Sequence, residues 1–201
     1  MTRILFICHG NICRSPMAEF VMKDLVKKAG LELQFHIESA ATSAEEIGNP
    51  IYPPARRKLA GHGIDCTGKT ARQLSKSDYG KYDLLIGMDR ANLRNMCRIC
   101  GGDYDGKLHL LMDYTDRPGD VADPWYTNDF ETTWRDVSAG CKGLLEHLRQ
   151  SAEGGICHGR THFMLRRLQY LWLRSPFLPG RAIPRLRSLD KPAEKTWLGN
   201  P

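Results

Sequence analysis

Residues 4–8, ILFIC, form an apolar run that ends directly in HGNICRSP, with no polar spacer between them. A run of this length suits a buried strand. The Arg-Ser-Pro that follows opens a helical stretch, 14–30, with Met17, Phe20, Val21 and Leu25 on one face. The same strand-to-helix step recurs down the chain. Residues 34–39 read as a second strand, 55–61 as a short basic helix behind Pro53-Pro54, 83–89 as a third strand, 90–99 as a helix and 107–113 as a fourth strand. The last helix is expected to begin near Asn128, with Glu131 at capping-box spacing. Its apolar stripe is Phe130, Trp134, Val137, Cys141, Leu144, Leu145 and Leu148. Strands alternating with helices predict an α/β fold of three layers, a parallel sheet covered on both faces with right-handed crossovers. Active sites in such sheets gather at the carboxyl ends of strands, where Cys8, Met88-Asp89 and the 113–126 loop fall.

The loop after the first strand carries chemistry of its own. Its pattern is C-x5-R-S, from Cys8 to Arg14 and Ser15. A free cysteine titrates near 8.5, and a helix N-terminus beside a cation lowers this to roughly 3.5–7.5. Residues His9, Gly10, Asn11, Ile12, Cys13 and Arg14 can aim successive backbone N–H groups inward as an anion cradle, aided by the helix dipole. The planar fork of Arg14 suits two oxygens of a phosphate, which a lysine does not match. Ser15 is placed to donate to the thiolate, and Gly10 and Asn11 suit positive φ in a tight turn. The spacing predicts an oxyanion site with a nucleophile at its base, where phosphate binds and sulfur attacks phosphorus.

Composition narrows the setting. With 201 residues, 41% of them hydrophobic and 26% charged, the chain has the make-up of a globular protein with one good core. No apolar run approaches a membrane span, and the run at the start is too short for a signal peptide. Seven cysteines, an odd number without a disulfide-framework spacing, favour a reducing cytoplasm. The formal charge of +6 lies in the last quarter: residues 151–201 hold nine Lys+Arg and three Asp+Glu, which leaves 20 of each in residues 1–150. A charge-neutral domain, 1–150, is therefore followed by a basic extension, 151–201. Within it, HFMLRRLQYLWLR (162–174) has the pattern of a basic amphipathic helix able to rest on anionic lipid. Five of the eleven prolines then punctuate 176–201, so an irregular extension with at most one helix is the favoured reading, and no nucleic-acid partner is expected.

ILFICHGNICRSPMAE (4–19) resembles the phosphate-binding loop of the low-molecular-weight protein tyrosine phosphatases of bacterial type. ESAATS-x3-IGNP (38–50), ARQL (71–74), IGMDRANLRNM (86–96) and DPWY (123–126) follow in that family's order, over about residues 2–149. The resemblance implies a four-stranded parallel sheet of flavodoxin-like topology, a phosphocysteine intermediate, and neither metal nor cofactor. It implies Cys8 as nucleophile, Arg14 as phosphate ligand, Ser15 as support for the leaving thiolate, and Asn11 with Ser39 as the pair that holds the loop. It also implies Asp123 as general acid and then base, and Trp125 and Tyr126 as one wall of a slot for a phenyl ring. Cys13 becomes a second loop cysteine able to capture an oxidised Cys8 as a disulfide. Chemistry supports the role of Asp123. A tyrosine leaving group has a pKa near 10, and a carboxylic acid placed to protonate it contributes typically ~10²–10⁴-fold. Phosphotyrosine proteins or peptides are the implied substrates, and a monomer the expected state.

Two positions depart from the family. Lys69 stands where a histidine often joins the Asn–Ser network; its ammonium can either replace that hydrogen bond or point to solvent, and it is left outside the expected site. Glu45 stands where an aromatic residue often forms the opposite slot wall, and a carboxylate there disfavours acidic peptides. Rival motifs are weaker. GIDCTGKT (63–70) fits a nucleotide P-loop expression but follows the basic, helical PPARRKLAGH rather than a strand. Cys97-x-x-Cys100 has no second pair to complete a zinc site. Arginine phosphatases of this fold carry threonine where Ile12 stands, and arsenate reductases need relay cysteines that residues 78–89 do not contain. A phosphate-binding protein tethered by its basic extension is the alternative from a different class.

Overall fold

The computed structural model describes residues 1–153; the helix expected over 162–174, and the chain beyond it, lie outside the described residues. In chain order the elements are β1 (Thr2–Cys8), α1 (Arg14–Lys28), β2 (Phe35–Ala41), α2 (Pro53–Gly61), α3 (Asp78–Lys81), β3 (Leu84–Gly87), α4 (Arg90–Cys100), β4 (Leu108–Leu110), α5 (Pro124–Thr127) and α6 (Phe130–Glu153). The four strands form one sheet in the order β2-β1-β3-β4, and every pairing is parallel. The position of β1 between two partners explains its unbroken apolar run, since both of its faces are covered. Ile4, Phe6 and Cys8 enter one core, while Leu5 and Ile7 enter another, following the two-residue alternation of a strand. α1 and α6 pack on each other and close the first core; α4 closes the second. The three expected layers are present.

The predicted stripe on α6 faces inward: Val137, Cys141, Leu144 and Leu145 are buried, and Phe130, Trp134 and Leu148 pack at the margin. On another side of the helix, glycines permit close approach. A Cβ on Gly143 would lie 1.9 Å from the Tyr114 carbonyl oxygen, and one on Gly140 2.5 Å from Leu111 Cγ. Both neighbours belong to a 3-10 turn, Leu111–Tyr114, which cuts the fourth strand short of its expected end at 113. Among the described residues no helix is long and apolar enough to cross a membrane.

The start of α6 corrects the expected capping box. Asp129, not Asn128, caps the helix, its Oδ1 accepting the Thr132 N–H at 2.9 Å. Asn128 instead ends α5 with φ 55°, the left-handed position that Asn tolerates. Asp-Pro-Trp-Tyr makes a helical turn of its own, which moves the next cap along by one residue. Glu131 pairs with Lys58 of α2 rather than reaching back to a cap.

Candidate active site

β1 ends at Cys8 and α1 begins at Arg14, so five residues must reverse the chain at the carboxyl edge of the sheet. Hydrogen bonds at the rim fix how they do it. The carbonyls of Cys8, His9 and Ile12 accept from the backbone N–H groups of Thr42 (2.9 Å), Ser43 (3.0 Å) and Tyr52 (2.9 Å). No peptide bond among the described residues is cis. Because N–H and C=O are opposed across a trans peptide, the N–H groups of His9, Gly10 and Cys13 point the other way, into the bowl of the loop. The Asn11 N–H reaches Cys8 Sγ itself at 3.3 Å. Asn11 has φ 58°, as predicted. Gly10 does not share the positive φ; a Cβ there would lie 3.1 Å from Glu46 Cγ, a contact that the glutamate side chain would have to yield to by a few tenths of an ångström.

Arg14 is buried and gripped from two sides. One terminal nitrogen donates to Asp89 Oδ2 at 2.6 Å and to the Val121 carbonyl at 3.3 Å; the other donates to Asp123 Oδ2. Asp89 follows β3 and Asp123 precedes α5, so the three strand-end segments expected to converge do so on this guanidinium. Burial disfavours its charge, but Cys8, Asp123 and Asp89 outweigh that and raise its pKa above the ordinary arginine value. Cys13 is pushed well up by burial, with the Cys8 and Asp123 charges adding and Arg14 opposing, which keeps it a protonated thiol. Asp123 also accepts the Trp125 N–H at 3.1 Å, so its carboxyl bridges Arg14 and the start of α5.

Beneath the loop lies a buried polar chain. Ser15 Oγ is 3.0 Å from Cys8 Sγ. Asn11 Nδ2 donates to Ser15 Oγ at 2.9 Å and to Ser39 Oγ at 2.8 Å, and Asn11 Oδ1 accepts the Arg72 N–H at 3.1 Å. Ser39 Oγ continues to Glu19 Oε2 at 2.5 Å. Every member of the expected group Cys8, Asn11, Ser15 and Ser39 is buried.

Residues 3–153 match the family model for low molecular weight phosphotyrosine protein phosphatase. The chain belongs to this family. The low molecular weight protein-tyrosine-phosphatase YfkJ of Bacillus subtilis is 36% identical over 155 residues, spanning 76% of this chain and 99% of its own. Its crystal structure superposes with a TM-score of 0.73 at 37% identity, over 75% of this chain and 96% of that one. The low molecular weight phosphotyrosine protein phosphatase of Gallus gallus is 40% identical over 148 residues, 71% of this chain and 93% of its own. A Streptococcus pyogenes phosphatase of the family is 42% identical in structure alignment, with a TM-score of 0.66 over 74% of this chain and 93% of that one.

Trp125 and Tyr126 are 42% and 78% exposed. The Trp125 ring lies 5.5 Å from Tyr52, which in turn lies 6.1 Å from Phe130. Tyr52 escaped sequence analysis because its IYPP setting reads as a helix approach. Glu45 is exposed beside the loop, its Oε2 3.1 Å from His9 Nε2. Asp89 was placed at the right strand end but not tied to Arg14, and no spacing rule links residues 75 positions apart. Lys69, left outside the expected site, is inside it: Nζ is 2.8 Å from Glu19 Oε2 and 3.3 Å from the Ser39 carbonyl. That also disposes of the nucleotide-loop match, whose lysine is turned into the protein from a loop with no strand before it.

Proposed function

We propose that this phosphatase hydrolyses phosphotyrosine in proteins or peptides through a phosphocysteine formed on Cys8. The observation that carries the reading is the convergence on Cys8 Sγ of the Asn11 N–H at 3.3 Å and the Ser15 hydroxyl at 3.0 Å, beside an arginine held by Asp89 and Asp123. Phosphate enters the bowl of His9, Gly10, Asn11, Ile12, Cys13 and Arg14, whose inward N–H groups meet its oxygens. The guanidinium fork exchanges Asp123 for a phosphate oxygen while Asp89 keeps it in place. Sulfur attacks phosphorus, the phosphorus–oxygen bond to tyrosine breaks, and Asp123 delivers the proton that the phenolate takes up. In the second step Asp123 accepts a proton from the attacking water, the sulfur–phosphorus bond breaks, and Ser15 donates to the departing thiolate.

Trp125 and Tyr126 with Glu45 bound the approach for the phenyl ring, and an apolar Ile12 suits an aryl ring better than a guanidinium. Cys13, a thiol at neutral pH, is placed in sequence to trap an oxidised Cys8 as a disulfide. Six free cysteines among the described residues are what a reducing compartment such as the cytoplasm maintains. The test compares phosphate release from phosphotyrosine and phosphoarginine peptides by wild type and Cys8→Ser. Release from phosphotyrosine by wild type alone supports the reading; preference for phosphoarginine, or release by Cys8→Ser, overturns it.

A further inference from the structure

Asp123 and Trp125 belong to a helix of one turn. α5 spans four residues, Pro124–Thr127, and its hydrogen bonds run from the N–H groups of Tyr126, Thr127 and Asn128 back to the carbonyls of Asp123 and Pro124. A single turn gains too little from such bonds to be stable alone, so contacts with other segments must place it. At its entrance the Thr133 hydroxyl donates to the Ala122 carbonyl at 3.1 Å. Farther on, one tie is polar, the Asp123 carboxylate on the Arg14 guanidinium. Another is aromatic, the Trp125 ring 5.5 Å from the Tyr52 ring and tilted to it by 58°.

Tyr52 is well fixed for that contact. A residue before proline is confined to extended backbone, and Tyr52, ahead of Pro53, has φ −53° and ψ 131°. Its N–H donates to the Ile12 carbonyl at 2.9 Å, and its ring packs on the cluster of Ile12, Cys13 and Ala71, with the Phe130 ring 6.1 Å away. Tyr52 therefore joins the phosphate loop to the segment that carries Asp123. Substrate acts on the two ties differently. A bound phosphate takes the Arg14 nitrogen that Asp123 holds, whereas the contact of Tyr52 with Trp125 uses none of the groups that bind phosphate.

We propose that Tyr52 is a positioning residue for the acid step: its ring holds α5 against the phosphate loop once Arg14 has released Asp123. It thereby keeps the Asp123 carboxyl at the leaving oxygen and the Trp125 ring beside the phenyl group. The inference rests on the phosphocysteine reading above and extends it to a residue that acts only through its neighbours.

The test uses full-length Tyr52→Leu and Tyr52→Phe, with inorganic phosphate and aryl phosphates as probes. Order parameters of the 125–128 amides, from NMR relaxation, are expected near about 0.85 in wild type with and without saturating phosphate. In Tyr52→Leu they are expected to fall below about 0.6 when phosphate is added. The second readout is kcat/KM, which reports cleavage of the phosphorus–oxygen bond. For a weakly acidic phenol it should fall roughly 2–10-fold in Tyr52→Leu, the range of one aromatic pair. For a strongly acidic phenol, which leaves without a proton, it should stay near wild type. Tyr52→Phe keeps the ring and should follow wild type on both, and Tyr52→Leu should cost nothing further in an Asp123→Asn background. Each variant is its own folding control, because one protein is compared on two substrates. Wild-type order parameters in phosphate-bound Tyr52→Leu, or a deficit of equal size for both phenols, would overturn the proposal. Relaxation needs no turnover, so this arm reads Tyr52 even if wild type prefers phosphoarginine.

Discussion

A carboxylate can serve Arg14 as an anchor or serve the substrate as an acid, and substitution separates the two uses. Asp89 has one oxygen on Arg14 and the other on the Asn92 N–H, where it caps α4. Asp89→Asn retains an acceptor for the cap and loses the charge beside Arg14. A charge-assisted hydrogen bond contributes about 1.5–3 kcal/mol, so kcat/KM should fall roughly 10–100-fold with little change in melting temperature. Asp123→Asn should instead slow phosphotyrosine turnover by ~10²–10⁴-fold, and the deficit should shrink for aryl phosphates with more acidic leaving phenols. A deficit that ignores the leaving group would remove Asp123 from the acid role. Beside the loop, Glu45→Gln takes away a negative charge next to His9; peptides with acidic residues flanking phosphotyrosine should gain in kcat/KM, while neutral peptides should not. Equal changes for both classes would place the selectivity elsewhere.

At the scale of elements, α6 is fixed by a close approach and by a cap. Gly143 lets α6 lie against the turn that follows β4, and a Cβ there meets the Tyr114 carbonyl at 1.9 Å. Gly143→Ala gains helix propensity yet must shift backbone, and overpacking of this kind costs typically about 1–3 kcal/mol, readable as a lowered denaturant midpoint. Asp129→Ala removes the side-chain cap of α6 and should cost about 1 kcal/mol, whereas Asn128→Ala loses no such bond but strains a φ of 55°. The stripe of α6 was plain in the sequence because burial follows the helical period. Its first turn was not, since Asn128 and Asp129 are both good caps. Which one serves depends on α5, whose single turn is too short to show a period.

For the whole molecule, ionisable groups on two sides of the sheet make stability depend on pH in one direction. Burial holds His109 neutral and lowers its pKa, against the raising influence of Asp103 and Asp113. The unfolded chain therefore takes up a proton first, and stability falls as pH drops below about 6.5. Burial raises Glu38 and Asp78, but the Tyr82 hydroxyl and Arg72 outweigh it at Glu38, and Ser75 with Arg72 at Asp78, leaving both below the usual carboxylate range. Their contribution is present above the unfolded carboxylate values, near 4, and is lost as pH falls through the depressed ones. Melting temperature should decline in two stages on acidification, and His109→Gln should flatten the first; an unchanged first stage would assign it to another group. The sequence by itself determined the parallel sheet, the inward face of α6 and the order of the Cys8–Ser15 loop, because those follow from periodicity and from residues a few positions apart. Tertiary structure decided which carboxylates hold Arg14, that Tyr52 backs Trp125, and that Lys69 lies inside rather than in solvent. Each of these pairs residues from different loops, brought together only when the strands fix where those loops begin and end, and nothing in local spacing records that distance.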